Sequence, residues 1–117
     1  NLKNKKNLIF DARNSKRFSG LEKEPRKNLR LGHLPYSKNI FWKEVTKNGQ
    51  SIISKKLIKE KFEKNNIKNK TIIFSCGSGI SACVLSLSLK HSLDIIGAVY
   101  DGSWAEWGSY KKLPIDL

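Results

Sequence analysis

Cys76 stands between the apolar run 71–75 and the small residues Gly77-Ser78-Gly79. Glycines after a cysteine let the backbone turn tightly, so that main-chain N–H groups converge on the thiol. A helix starting directly afterwards adds partial positive charge from its N-terminus. A thiolate held in such a cradle is stabilised and becomes a nucleophile. The competing reading makes Cys76 a small buried residue ahead of an ordinary strand–helix turn, and on spacing alone the two stand level. Cys83 lies seven positions further on, inside an apolar stretch, and reads as inert packing. That separation fits neither a C-x-x-C redox pair nor a zinc-ligand spacing. On one helix the two thiols stand about two turns, ~10 Å, apart, too far to bridge. Two unbridged cysteines suit a reducing, cytoplasmic setting.

Two cysteine-loop chemistries use this geometry. Phosphotransfer of the C-x5-R type needs an arginine six positions after the nucleophile to clamp a phosphate dianion, and that position here is Ala82. The tight cradle from Cys76 to Ser81 instead suits one large soft atom, such as the outer sulfur of a persulfide.

Such a loop must be positioned by the elements around it. The run 71–75 is continuous, β-branched and aromatic, as in a strand buried on both faces. A helix is expected from Ile80 to Leu89, apolar on most sides. Residues 7–11 read as another buried strand, 39–42 as a short one, and 95–100 as a further one, closed by Asp101 and Gly102. Residues 54–65 read as an amphipathic helix with Ser54 as N-cap and Leu57, Ile58 and Phe62 on one face. Ser103 is expected to cap a short helix that places Trp104 and Trp107 in the core. Between residues 16 and 36 runs a polar stretch without periodicity; loops of that length in a compact domain are usually functional or disordered. Alternating strands and helices predict an α/β fold with a mostly parallel sheet.

Cys-Gly-Ser-Gly-Ile-Ser-Ala at 76–82 resembles the active loop of rhodanese-type sulfurtransferases, in particular the 3-mercaptopyruvate branch. Asp11-Ala-Arg13, Gly32-His-Leu-Pro35 and the segment 100–107, Tyr-Asp-Gly-Ser-Trp-Ala-Glu-Trp, are similar to hallmarks of the catalytic second domain in two-domain members, in the same order. The resemblance implies a rhodanese-like three-layer domain over 1–117, with a small parallel five-stranded sheet flanked by helices, and an N-terminal rhodanese domain in the full-length protein. It implies that Cys76 becomes a persulfide by taking sulfur from 3-mercaptopyruvate, with Ser78 hydrogen-bonding or relaying a proton. Gly77, Gly79, Ile80 and Ser81 would bind the transferred sulfur through the loop. Arg17 and Arg26 match the arginines that hold the donor's carboxylate and keto oxygen, a task suited to the planar guanidinium fork. Thiosulfate-preferring members carry Arg and Lys after the cysteine; Gly77 and Ser78 carry no charge, which favours a donor whose anion lies farther off. The implied acceptor is a thiol such as thioredoxin, or cyanide in an assay, and no metal or organic cofactor is implied. A thiosulfate sulfurtransferase and a non-enzymatic rhodanese-like binding module are the alternatives. His33 reads as a structural turn histidine, Asp101 as a turn residue, and Tyr36 departs from the glycine usual after that proline.

Composition sets the outer bounds. The chain has 117 residues with 38% hydrophobic and 28% charged, ordinary for a single globular domain with its own core. No apolar run approaches the ~20 residues that span a bilayer. The formal charge of +13 invites nucleic acid, but all except four of the 23 basic residues are lysines rather than the arginines that favour phosphate and base recognition. They rise together with Asn and Ile, a compositional drift on a solvated surface, so nucleic-acid binding is disfavoured.

Overall fold

A computed structural model of the chain describes residues 7–24, 29–47, 51–65, 67, 68, 70–77, 80–100 and 102–116. Its centre is a parallel sheet built on the two strongest apolar runs. Strand β1 (Asn7–Asp11) pairs with β5 (Thr71–Ser75) along its whole length, from Asn7 opposite Thr71 to Asp11 opposite Ser75. Short strands complete it: β2 (Lys38–Asn39) beside β1 and β6 (Ala98–Val99) beside β5, giving the order β2-β1-β5-β6. The parallel sheet flanked by helices is as expected; among the described residues it has four strands where five were expected. A separate antiparallel pair joins β3 (Thr46–Lys47) and β4 (Ser51–Ile52).

Strand alternation sends Leu8, Phe10, Ile72 and Phe74 to one face. There they meet Ile58 and Phe62 of helix α2 (Lys55–Glu63) and Ala82, Leu85 and Leu89 of helix α3 (Ile80–Leu93), all buried. Phe10, Phe62 and Phe74 form an aromatic triangle with centroids 5.3, 6.1 and 6.2 Å apart, two of the three contacts edge-on. Such geometries add to the area they bury. At the sheet edge a Cβ on Gly97 would stand 2.5 Å from the Phe74 ring, so glycine lets β6 close onto the triangle.

Local chemistry explains where elements begin and end. Ser54 Oγ accepts from Leu57 N and caps α2, as expected. Leu57 is 49% exposed, because the buried stripe of this short helix is the i, i+4 pair Ile58 and Phe62. The strand expected at 39–42 stops at Asn39: Glu44 Oε2 accepts from Phe41 N (2.8 Å) and starts a 3-10 helix, Trp42–Val45. The polar stretch opens with a one-turn helix, α1 (Ser15–Phe18), which periodicity could not reveal; Asn14 caps it by accepting from Arg17 N (2.8 Å). Helix α3 runs to Leu93, past the expected end at Leu89, and β6 is shorter than its expected 95–100. Cys83 is not packing residue but exposed, as is Leu87 one turn on; Ala82, Leu85 and Leu89 take the buried face and leave those two opposite.

After β6 comes helix α4 (Ser103–Trp107). Trp104 is buried as expected, with Nε1 donating to Arg30 O (2.8 Å). Trp107 is only half-buried, because its Nε1 reaches out to Pro114 O (2.7 Å). Arg30 donates to five carbonyls of the closing segment, those of Trp107, Gly108, Tyr110, Lys111 and Leu113, at 2.6–3.3 Å. Those bonds occupy the full N–H fork of the guanidinium.

Candidate active site

Cys76 lies just past the carboxyl end of β5, where parallel α/β sheets hold their ligands. It is 2% exposed and belongs to the main core cluster. Its main chain is held from the start of α4. Cys76 N donates to Ser103 Oγ (3.0 Å), and that hydroxyl donates to Tyr100 O (2.7 Å). Trp104 N donates to Cys76 O and Ala105 N to Gly77 O, both at 2.8 Å. Ser103 is fully buried and sits at φ 48°, a left-handed conformation that a non-glycine residue rarely adopts. It does not cap α4 as expected. Gly102 occupies the N-cap without a side-chain bond, and the serine hydroxyl turns to the cysteine instead.

A second flank is built from charge. Arg13 is buried and donates through Nε and Nη2 to the Asp11 carboxylate (2.8–3.1 Å), through Nη2 to Gly32 O (2.7 Å) and through Nη1 to Glu24 Oε2 (3.0 Å). Its guanidinium carbon lies 4.9 Å from the centroid of the Trp104 ring, a cation–π contact. Arg17 meets the same Glu24 through Nε (3.2 and 3.3 Å) and Nη2 (2.7 Å). The hydrogen bond to Glu24, ahead of its charge, raises the Arg17 pKa further above an already high value. This flank is tied to the first by Ala12 N, which donates to Ser75 O (2.7 Å).

The Gly32–Pro35 segment has a structural part. His33 Nδ1 donates to Phe18 O (2.6 Å), since a carbonyl can only accept, and the ring stacks on Phe18 at 3.7 Å. Its main chain exchanges two bonds with Asp116 (2.8 and 2.9 Å). The turn that follows has Ser37 N donating to Leu34 O (3.2 Å), Pro35 at its second position and Tyr36 at its third with φ 65°. Glycine suits that third position, which is why a tyrosine there is the departure.

A model of the rhodanese-like domain family matches residues 1–110, nearly the whole chain. The chain belongs to the rhodanese-like domain family. The 3-mercaptopyruvate sulfurtransferase of Escherichia coli (strain K12) is 39% identical over 109 residues, covering 92% of this chain and 38% of that protein. Thiosulfate/3-mercaptopyruvate sulfurtransferase 1, mitochondrial, of Arabidopsis thaliana is 37% identical over 108 residues, covering 92% of this chain and 28% of the relative. Among solved structures, a sub-stoichiometric sulfur transferase subunit of yeast mitochondrial complex I superposes with a TM-score of 0.81 at 38% identity, covering 97% of this chain and 39% of that one. The rhodanese-like domain thus spans well under half of each relative.

Of the residues predicted for this rhodanese-like domain, the structure places Cys76 and Gly77 in the anchored segment, Ile80 at the start of α3, and half-buried Ser81 in its first turn. Arg17 is on α1, paired with Glu24 rather than open on a mobile loop. Arg26, Ser78, Gly79 and Asp101 lie outside the described residues. Sequence reading missed the bond between Ser103 and Cys76, and missed Glu24 altogether. A Gly-Ser pair directly before a Trp-containing helix signals a special turn at Ser103, whereas Glu24 sits in an aperiodic stretch that marks no residue. No described helix is long and apolar enough to cross a membrane.

Proposed function

We propose that this domain is the catalytic unit of a sulfurtransferase that takes sulfur from 3-mercaptopyruvate. The observation that carries the reading is the placement of Cys76: at the strand end before a glycine-containing loop and a long helix, its N–H and C=O both held from α4. The Cys76 thiolate attacks the thiol sulfur of the donor. An S–S bond forms, the donor's C–S bond breaks, and its electron pair stays on carbon as the enolate of pyruvate, which then takes a proton. The N–H groups of residues 77–81 stabilise thiolate and persulfide, and Ser78 hydrogen-bonds or relays the proton. Arg17 and Arg26 hold the carboxylate and keto oxygen. Attack by a thiol acceptor such as thioredoxin on the outer sulfur, or by cyanide to give thiocyanate, restores Cys76. We assign the whole of 1–117 to this catalytic domain, with an N-terminal rhodanese domain in the full-length protein and a reducing, cytoplasmic setting. Thiosulfate is the second reading for the donor, favoured by the Arabidopsis relative, whose name includes both donors.

Mass spectrometry after incubation with 3-mercaptopyruvate tests the mechanism. One sulfur atom added at Cys76, and none in Cys76→Ser, is expected. A native full-length protein that gains no sulfur would overturn it, and a function untouched by Cys76→Ser would point to a binding module.

A further inference from the structure

Glu24 joins two arginines of different standing. Its side chain is 1% exposed and accepts from Arg13, which Asp11, Gly32 O and the Trp104 ring hold in place. It also accepts from Arg17, whose side chain is 22% exposed and whose Nη1 is engaged by no partner among the described residues. Trp104 N in turn donates to Cys76 O, so packed and hydrogen-bonded groups run without a gap from the Arg17 fork to the cysteine. The two carboxylates and two guanidiniums of this cluster cancel in charge. Arg17 therefore offers a ligand directed N–H bonds with little net positive potential behind them. A singly charged carboxylate uses those bonds fully, whereas a dianion loses the extra attraction that an unneutralised arginine would supply.

We propose that Glu24 is a positioning residue that aims Arg17 at the donor and biases the site toward monoanionic 2-oxo acids over dianionic donors. The proposal rests on the sulfurtransferase reading and deepens it. Glu24→Gln keeps the shape and removes the charge, so a dianion gains more than a monoanion. Glu24→Asp keeps the charge and withdraws it from Arg17.

The test uses the native full-length protein with 3-mercaptopyruvate and thiosulfate as donors and cyanide as acceptor. In Glu24→Gln the ratio of kcat/KM for thiosulfate to that for 3-mercaptopyruvate should rise about fivefold or more, chiefly through KM. In Glu24→Asp both KM values should rise while the ratio stays within about twofold of wild type. A parallel titration of Cys76→Ser with pyruvate and with thiosulfate should give the same shift in binding ratio when Glu24→Gln is added. Equal losses for both donors, or an equal ratio shift in Glu24→Asp, overturns the proposal and leaves sulfur transfer intact. No turnover of either donor, with the binding ratio shifted as stated, overturns the sulfurtransferase reading and supports the bias. Absence of binding by either anion overturns both.

Discussion

The two flanks of the candidate site are held by different forces. The Cys76 segment is fixed through its main chain: its N–H, its C=O and the carbonyl of Gly77 all bond to the start of α4, the N–H through the Ser103 hydroxyl. The Arg17 flank is fixed by side-chain charge, two carboxylates around one buried guanidinium. Main-chain anchoring persists through most substitutions, because every residue except proline brings the same groups. A buried charge cluster has no such tolerance, because losing one member leaves the others uncompensated.

Breaking the charged flank should therefore have the largest effect. Arg13→Ala leaves Asp11 and Glu24 buried without their shared partner and should cost about 3–5 kcal/mol in denaturant unfolding. A loss below about 1 kcal/mol would mean that water already shares the cluster, and the contrast between the flanks would fail. Ser103→Ala removes the side chain that accepts from Cys76 N in the other anchor. It should cost about 1–2 kcal/mol by unsatisfying the Cys76 N–H, and should lower persulfide formation at Cys76 more than it lowers stability. Unchanged persulfide formation would show that the α4 backbone bonds hold the segment unaided. The smallest effect, of opposite sign, is expected from Tyr36→Gly in the turn at Pro35. Tyr36 is 63% exposed and left-handed, so its removal relieves strain without opening a core and should raise stability by about 1 kcal/mol. A decrease would mean that the exposed ring contributes more than its backbone costs.

The same contrast separates what was legible in the sequence. Strands β1 and β5 and helix α2 could be read because contiguous apolar runs and a Ser cap are local signals. The four-residue helix α1 and the 3-10 turn at Trp42 were hidden, since one turn is too short to show a period. Leu57, Cys83 and Trp107 were assigned to packing from their apolar character, but a helix of this width buries only one stripe. The place of Cys76 at the end of β5 was legible because an apolar run, a cysteine and glycines lie in succession. Ser103 was placed correctly at a helix start and given the wrong partner, because its hydroxyl answers to a residue 27 positions earlier. Glu24 was missed altogether: its meaning depends on Arg13 and Arg17 converging on it in space.

Arg30 carries a last consequence, for how freely the closing segment can vary. Its guanidinium gathers carbonyl oxygens of residues 107–113 and no side chain among them. Any amino acid supplies a carbonyl, so the shape of that stretch is indifferent to most of its own letters. Mutational drift can rewrite much of the tail around Trp107 while the fold stays the same, provided that Gly108, where a Cβ would stand 2.7 Å from the Trp104 ring, is kept and that one arginine, some eighty positions upstream, does not move.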